Sequence, residues 1–433
     1  MHLPGNDQEQ KNSVLFLSGV RGDTRRYRTM HPYEQLRLLD LPCLLSHVMD
    51  PDVVNKVNRS DVVIFHRVQA NSFVEGMINR VRSRGGLVLV DTDDLIFDQN
   101  AFGWIDSPDF MDPVRADLYR ENMIRYRRTL ELSQGAITST DFLKNEINSL
   151  GKKAWVCRNA FNLQMLANSD AARKLKKEND QVSIGYASGT PTHNRDFGKI
   201  IPAIKILLDK YPALIVSLAG ALDTKHELDE YSDRVRKVAS VSWLRLPDVL
   251  AGFDINLAPL VEDNPFAQSK SEIKYVEAGL VEVPTVASPI SSYRQAIESG
   301  RNGFLASTTD EWVSALDQLI QDGELRKSIG RCAREDVLSH FGPLTRGNEL
   351  VRVLNEASYT IRGCPIWDDE AIRIPQTPPP HGFITPAMEM HPTNLDMSLY
   401  SLKYRGLRTF IREIYIYFRR LISPVFPYKA HSA

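Results

Sequence analysis

The chain has 433 residues, too many for one ordinary core, which sets the expectation of two domains with accessory segments. Hydrophobic residues make up 42% and charged residues 25%, the balance of a soluble globular protein and not of a disordered or membrane-spanning one. A formal charge of -1 excludes a global attraction to nucleic acid, so any basic surface is local.

The four cysteines, Cys43, Cys157, Cys332 and Cys364, are scattered without CxxC pairing and read as small buried hydrophobes in a reducing compartment. They offer no zinc site. The opening "MHLPGNDQEQKN" lacks the basic and apolar regions of a secretory signal, and no run of about 18 apolar residues is present for a spanning helix. The expected location is the cytoplasm.

From Ser13 the chain reads as apolar strands alternating with helical patterns. "VLFLSG" (14–19) is a strand ending in Gly19, followed by a polar loop and the helical "HPYEQLRLL". "DVVIFHR" (61–67) is a strand, then comes a helix through "FVEGMINRVRSRG", then "GLVLVDTDDL" (86–95), a strand ending in carboxylates. A long helix over 114–133, the strand "GAITST" (135–140), a helix from Asp141 and a strand in "KKAWVCRNAFN" (152–162) complete a first domain, 13–165. Apolar runs separated by helices are the pattern of parallel βαβ units buried on both faces.

The lysine-rich "ARKLKKENDQ" marks a boundary, and the pattern restarts in a second domain, 180–355. Its expected order is strand "VSIGYASG", helix 197–210, strand 213–220, helix 227–238, strand 241–246, the helical "PDVLAG", strand 254–260, helix 271–281 and strand 283–289. A helix from Ser291, "NGFLAS" and helices 310–322 and 324–339 follow. The fold class is therefore α/β, with two doubly wound Rossmann-like domains facing a cleft. Ligands in such sheets sit at the carboxyl ends of the strands. Residues 356–397 are proline-rich and irregular, and 398–424 form a last helix.

Two stretches carry chemistry. In "SIGYASGTPTHNRDF" a strand gives way through Ser188, Gly189 and Thr190 to a helix, presenting free N–H groups and room for close approach, which suits a diphosphate. A glycine turn present only for its backbone angles is the equal alternative. His193 in this loop either reaches a sugar or phosphate or caps the helix.

In "NPFAQSKSEIKYVEAGLVEVPTVASP" a helix from about Ser271 would place Lys274 and Glu277 on one face, with Lys270 just ahead. Cations at a helix N-terminus oppose the macrodipole unless an anion lies between them, and phosphate would be that anion. Glu277 can accept hydrogen bonds from ribose hydroxyls. The alternative is a surface ion pair between Lys274 and Glu277.

"KYVEAGLVEVPTVAS" resembles the donor-site signature of the group 1 glycosyltransferases, enzymes of GT-B fold, as do "SGTPTHNRDF", "LPDVLAGFDINLAPL", "NGFLA" and "WVCRNAFN", the last carrying Asn159. The resemblance covers about 180–340 strongly and 13–160 more weakly. It implies a nucleotide-sugar donor in the second domain, with Glu277 on its ribose and Lys270 and Lys274 on its diphosphate, and retention of anomeric configuration in polysaccharide or glycoconjugate synthesis. No cofactor or metal is then expected beyond the nucleotide-sugar co-substrate. Many members have two glutamates eight residues apart, but the position eight before Glu277 is Ser269, and the basic pair usual after the glycine loop is replaced by Arg195 alone.

On the same resemblance Gly19 ends the first strand where a glycine-rich loop faces the donor. Arg26 and Arg28 lie in that loop, either neutralising an anion or simply solvated. His66 and Arg67 stand at one strand end and Asp91, Asp93 and Asp94 at another. Asp93 or Asp94 would orient acceptor hydroxyls, with Arg67 beside them on the acceptor side, against an alternative of helix capping.

Catalytic work is thus expected from Asp93, Asp94, Lys274 and Glu277, moving a sugar to a glycan or lipid-linked acceptor. A nucleotide-sugar epimerase on the same fold and a non-catalytic glycan-binding scaffold are the alternatives. In "LYSLKYRGLRTFIREIYIYFRRLISP" (399–424) apolar residues recur at helical spacing among Lys403, Arg405, Arg408, Arg412, Arg419 and Arg420. This basic amphipathic helix either lies on an anionic membrane at the inner face of the cell envelope or packs back across the first domain.

Overall fold

A computed structural model of the chain describes residues 13–175, 181–189, 191–224, 226–367 and 394–422. Strands β1 (Val14–Ser18), β2 (Cys43–His47), β3 (Val62–His66), β4 (Leu87–Thr92), β5 (Gly135–Thr138) and β6 (Ala154–Val156) pair in parallel in the order β2-β1-β3-β4-β5-β6. β1, β3 and β4 are buried along their whole length, so both faces demand apolar side chains. Successive residues feed opposite cores: Leu15, Phe65 and Val88 enter one, Phe16, Ile64 and Leu89 the other.

The second sheet holds β7 (Ser183–Ser188), β8 (Ile215–Gly220), β9 (Val235–Val238), β10 (Ile255–Ala258), β11 (Thr285–Ala287) and β12 (Phe304–Leu305), again all parallel. Its order, β12-β11-β10-β7-β8-β9, is the doubly wound Rossmann order, and the order of the strands reverses between β7 and β10. The crevice at that reversal lies beside Ser188–Gly189 and the segment leading to Lys270.

Six helices matter for the site: α1 (His31–Leu38), α2 (Pro113–Leu132), α3 (Ile273–Leu280), α4 (Pro343–Arg362), α5 (Asn394–Arg405) and α6 (Leu407–Ile422). α4 leaves the second domain and returns to the first, where Leu350, Val351 and Leu354 share a core with Leu36, Leu39 and Trp155. A Cβ at Gly347 would stand 3.2 Å from Leu39, so glycine permits α4 to approach α1 this closely. Trp155 Nε1 donates to Glu356 at 3.0 Å and fixes the register.

Several local expectations are corrected. The strand β2, "CLLSH", is an addition, hidden in the sequence by its shortness between Pro42 and Asp50. The helix expected over 227–238 is a short turn at Asp229–Tyr231 followed by β9, and no strand forms over 241–246. β9 is an edge strand with exposed Arg236 and Lys237, and charges at a sheet edge erase the apolar signal that reveals inner strands. The helix expected over 197–210 is two pieces, Asn194–Gly198 and Ile201–Lys210, and α3 starts at Ile273 and not at Ser271.

Arg26 and Arg28 are not loop residues: they sit in a π-helical turn, Arg26–Met30, that runs into α1, and both are buried. The stretch expected to be irregular from 356 is helical to Arg362, and its proline-rich part lies outside the described residues.

The tail helix breaks at Gly406, which has φ 89°. α5 packs on the first domain: Tyr400 is buried and accepts from Asn71 Nδ2 at 3.1 Å, and Tyr404 stacks on Phe73 at 4.8 Å. α6 leans on α2 through an Arg412–Glu121 ion pair and Arg125 donating to Thr409.

Candidate active site

The carboxyl ends of the two sheets face each other. In the first domain β3 ends in His66 and Arg67, and Arg67 takes a left-handed backbone, φ 47°, costly for a residue with a side chain. That turn passes so near Gly19 that a Cβ there would fall 2.8 Å from Val68 Cα. Gly19 is thereby required by chain packing.

The turn aims the Arg67 guanidinium at the carboxylates after β4: Nε donates to Asp93 at 2.8 Å, and Nη2 pairs with both Asp93, at 2.7 Å, and Asp94. Burial alone would push the Asp93 carboxyl up; Arg67, with His66 and Arg28, more than offsets it and holds Asp93 below the usual range. Helix capping is not what these aspartates do, because Asp98 caps the next helical turn and Thr92 Oγ1 donates to the Asp94 carbonyl.

Asp91 is withdrawn from the cleft. Arg28 grips it with two bonds, Nε to Oδ1 at 2.9 Å and Nη2 to Oδ2 at 2.6 Å, while His66 Nδ1 lies 3.1 Å from Oδ1. Arg28 also donates to the Cys157 carbonyl and to Asn159, whose amide reaches Ser271 Oγ at 2.9 Å in the second domain. This network ties the first sheet, the connecting strand and the approach to α3 together.

In the second domain the three residues singled out in sequence converge. Lys270 extends across the cleft to Asp94 Oδ1 at 2.6 Å. Lys274 points to the Ala187 carbonyl at the end of β7 and over the Tyr186 ring at 4.9 Å, and burial depresses its ammonium, partly offset by Glu277 and Asp196. Glu277 accepts from the Tyr27 hydroxyl at 2.5 Å; burial pushes its carboxyl up, against Arg26, Tyr27 and Lys274. The Lys274–Glu277 surface ion pair considered from sequence does not form.

Gly189 is exposed and a Cβ there would meet nothing within 4 Å, so its backbone does not require glycine. Thr190 lies outside the described residues. His193 Nδ1 lies 3.0 Å from Asp196 Oδ2, and its side chain lines a cavity with Trp104, Asp106, Arg195, Phe266 and Lys270. That cavity holds about 10 Å³, room for one water.

One residue was missed in the sequence. Tyr27 carried a signal, an aromatic side chain between two arginines in "RRYR", but nothing placed it opposite Glu277. Arg26, read from the sequence as neutralising an anion or simply solvated, is buried and sandwiched between Tyr27 and Trp243, 4.3 and 4.7 Å from the two ring centres, and so bridges the domains. Among the described residues no group of three or more His, Cys, Asp or Glu is placed to hold a metal.

Two Rossmann-like domains with their strand ends opposed across one cleft define the GT-B fold. The second domain goes further: residues 182–322 match the family of glycosyl transferases group 1. Solved structures of similar fold include HepE of Anabaena in complex with UDP-glucose, 15% identical with a TM-score of 0.53 over 79% of this chain and 99% of that one. Sucrose-phosphate synthase from Thermosynechococcus elongatus gives 13% identity and a TM-score of 0.55 over 81% and 100%. A glycosyltransferase from Rickettsia africae gives 12% and 0.55 over 80% and 98%. At these identities the likeness is one of fold. No curated protein matches the chain.

Proposed function

We propose that the protein is a glycosyltransferase that takes a sugar from a nucleotide-diphosphate donor on the second domain and passes it, with retention, to a glycan or lipid-linked acceptor on the first. The observation that carries this reading is the convergence of Lys270, Lys274 and Glu277 at the carboxyl ends of the second sheet, opposite Asp94. The family match over 182–322 supports it, as does the binding of UDP-glucose by the fold relative HepE.

As the glycosidic bond breaks, charge develops on the leaving diphosphate. Lys270 and Lys274 stand where they can stabilise it, and a half-desolvated cleft strengthens that attraction. Glu277 holds the ribose, while Arg67 fixes Asp93 and Asp94 to orient the acceptor hydroxyl. With that charge met by lysines, the reading calls for no metal or further cofactor. The test is incubation with UDP-, GDP- and dTDP-sugars and lipid-linked acceptors. Transfer is expected; an isomerised donor would replace this reading by an epimerase, and no reaction of any kind by a glycan-binding scaffold.

The tail supports attachment to an anionic membrane. On α6 the side chains turned to the body are Thr409, Arg412 and Glu413, whereas Leu407, Ile411 and Tyr415, one turn apart, are 61%, 56% and 41% exposed, beside exposed Arg408. Exposed apolar residues one helical turn apart beside a basic residue fit the interface of an anionic bilayer. Leu407→Glu with Ile411→Glu is expected to leave a folded enzyme that no longer floats with phosphatidylserine vesicles; undiminished flotation removes the membrane from the reading. Among the described residues no helix is long and apolar enough to cross a membrane.

A further inference from the structure

The groups assigned to the donor are engaged by other groups of the chain, and two of them by the opposite domain. Glu277, read as the ribose ligand, accepts a hydrogen bond from the Tyr27 phenol at 2.5 Å. Lys270, read as a diphosphate ligand, is paired with the Asp94 carboxylate at 2.6 Å. The chemistry matches group for group. A neutral hydroxyl donor stands where a ribose hydroxyl would donate, and an anionic oxygen where a phosphate oxygen would accept. Two further hydrogen bonds cross the cleft, from the Arg195 amide to Asp106 at 2.9 Å and from Asn264 to the Trp104 carbonyl at 2.9 Å.

We propose that Tyr27 and Asp94 are built-in mimics of the donor: they occupy Glu277 and Lys270 from across the cleft and are displaced from them when the donor binds. The inference rests on the donor-site reading above. Lys270 takes up Asp94 Oδ1 and Arg67 takes up Oδ2, so donor phosphates that draw Lys270 away leave Oδ1 freer to accept from an acceptor hydroxyl. A protein whose competent state is a minor fraction binds with an affinity reduced by that fraction, and removing a competing contact restores it.

The experiment is calorimetric titration of the full chain with UDP, GDP, ADP and dTDP, on the wild type, Tyr27→Phe, Asp94→Asn and the double variant. Each substitution is nearly isosteric and removes one mimicking group. The best-bound nucleotide is expected to bind roughly fivefold tighter to each single variant, with the gains multiplying in the double variant. A second arm repeats Asp94→Asn on a Lys270→Ala background, where the gain is expected to vanish because no partner is left to release. Equal or weaker binding by the variants overturns the mimicry, and so does a gain that survives in the Lys270→Ala background, which would reflect mere removal of a negative charge. Binding by the variants when the wild type shows none supports it. If neither wild type nor variants bind any of the four nucleotides, the donor-site reading itself falls, and this inference with it.

Discussion

Arg28 and Asp91, 63 residues apart in the chain, meet in a two-bond ion pair that is almost completely shielded from solvent, its side chains 2% and 4% exposed. Burial would drive the Asp91 carboxyl up, but Arg28, seconded by His66, holds it below the usual range. Removing one partner of such a pair strands the other charge. Arg28→Ala is expected to cost about 3–5 kcal/mol, and Arg28→Lys to recover little because an ammonium cannot reproduce the fork. Chemical denaturation measures both, and an Arg28→Ala protein of wild-type stability would contradict the structural role given to Asp91.

For the donor ligands the expected losses are in binding. Glu277→Ala removes a charge-assisted acceptor and is expected to weaken nucleotide-sugar binding by about 2 kcal/mol, and Lys274→Ala by a similar amount. Donor affinity by calorimetry decides, with unchanged values in both variants counting against the assignment.

Gly189→Val separates the two readings of the glycine loop. Open space surrounds a Cβ at this position, so the melting temperature is expected to stay within a degree or two, about 0.5 kcal/mol. The branched side chain would stand where the diphosphate approaches, and nucleotide affinity is expected to fall at least tenfold, about 1.4 kcal/mol. A large drop in melting temperature with normal binding by the folded fraction would return the glycine to a purely conformational role.

Two buried histidines contribute to the response to acid. Burial, with Arg26 nearby, lowers His31 to about 3 despite its bond to the Ala160 carbonyl; burial, with Arg25 and Arg21, lowers His47 to about 3. In the unfolded chain both titrate near 6.5, so between about pH 6.5 and 3 the unfolded state binds more protons and stability falls as pH falls. Each contributes about 1.4 kcal/mol per pH unit in that window, about 2 kcal/mol by pH 5. His31→Asn, which can keep the bond to Ala160, is expected to flatten the decline of melting temperature between pH 7 and 5. A variant as acid-sensitive as the wild type would show that the lability lies elsewhere.

What the sequence disclosed follows from where strands lie. β1, β3, β4 and β7 are inner strands, so both faces are apolar and each stands out as an uninterrupted run. β9 pairs on one side only and carries charge, so the same reasoning took it for helix. At the site, Lys270, Lys274 and Glu277 were legible because they share one short stretch that α3 and its approach bring to a point. Their pairings were not. Tyr27 is 250 residues from Glu277 and Asp94 is 176 from Lys270, and local periodicity carries no information about which strand ends a cleft will bring face to face.

The return of α4 to the first domain gives the cleft a mechanical character. The polypeptide passes between the domains near Asn159–Leu163 and again near Phe341–Pro343, and the two passages lie side by side, Phe161 N–H donating to the Phe341 carbonyl at 3.2 Å. One tether would permit swinging and twisting alike; two adjacent tethers leave a door-like rotation about the line they share. Shearing or twisting the domains would strain both passages where rotation about that line strains neither, so the free energy released by a ligand acts chiefly on one angle.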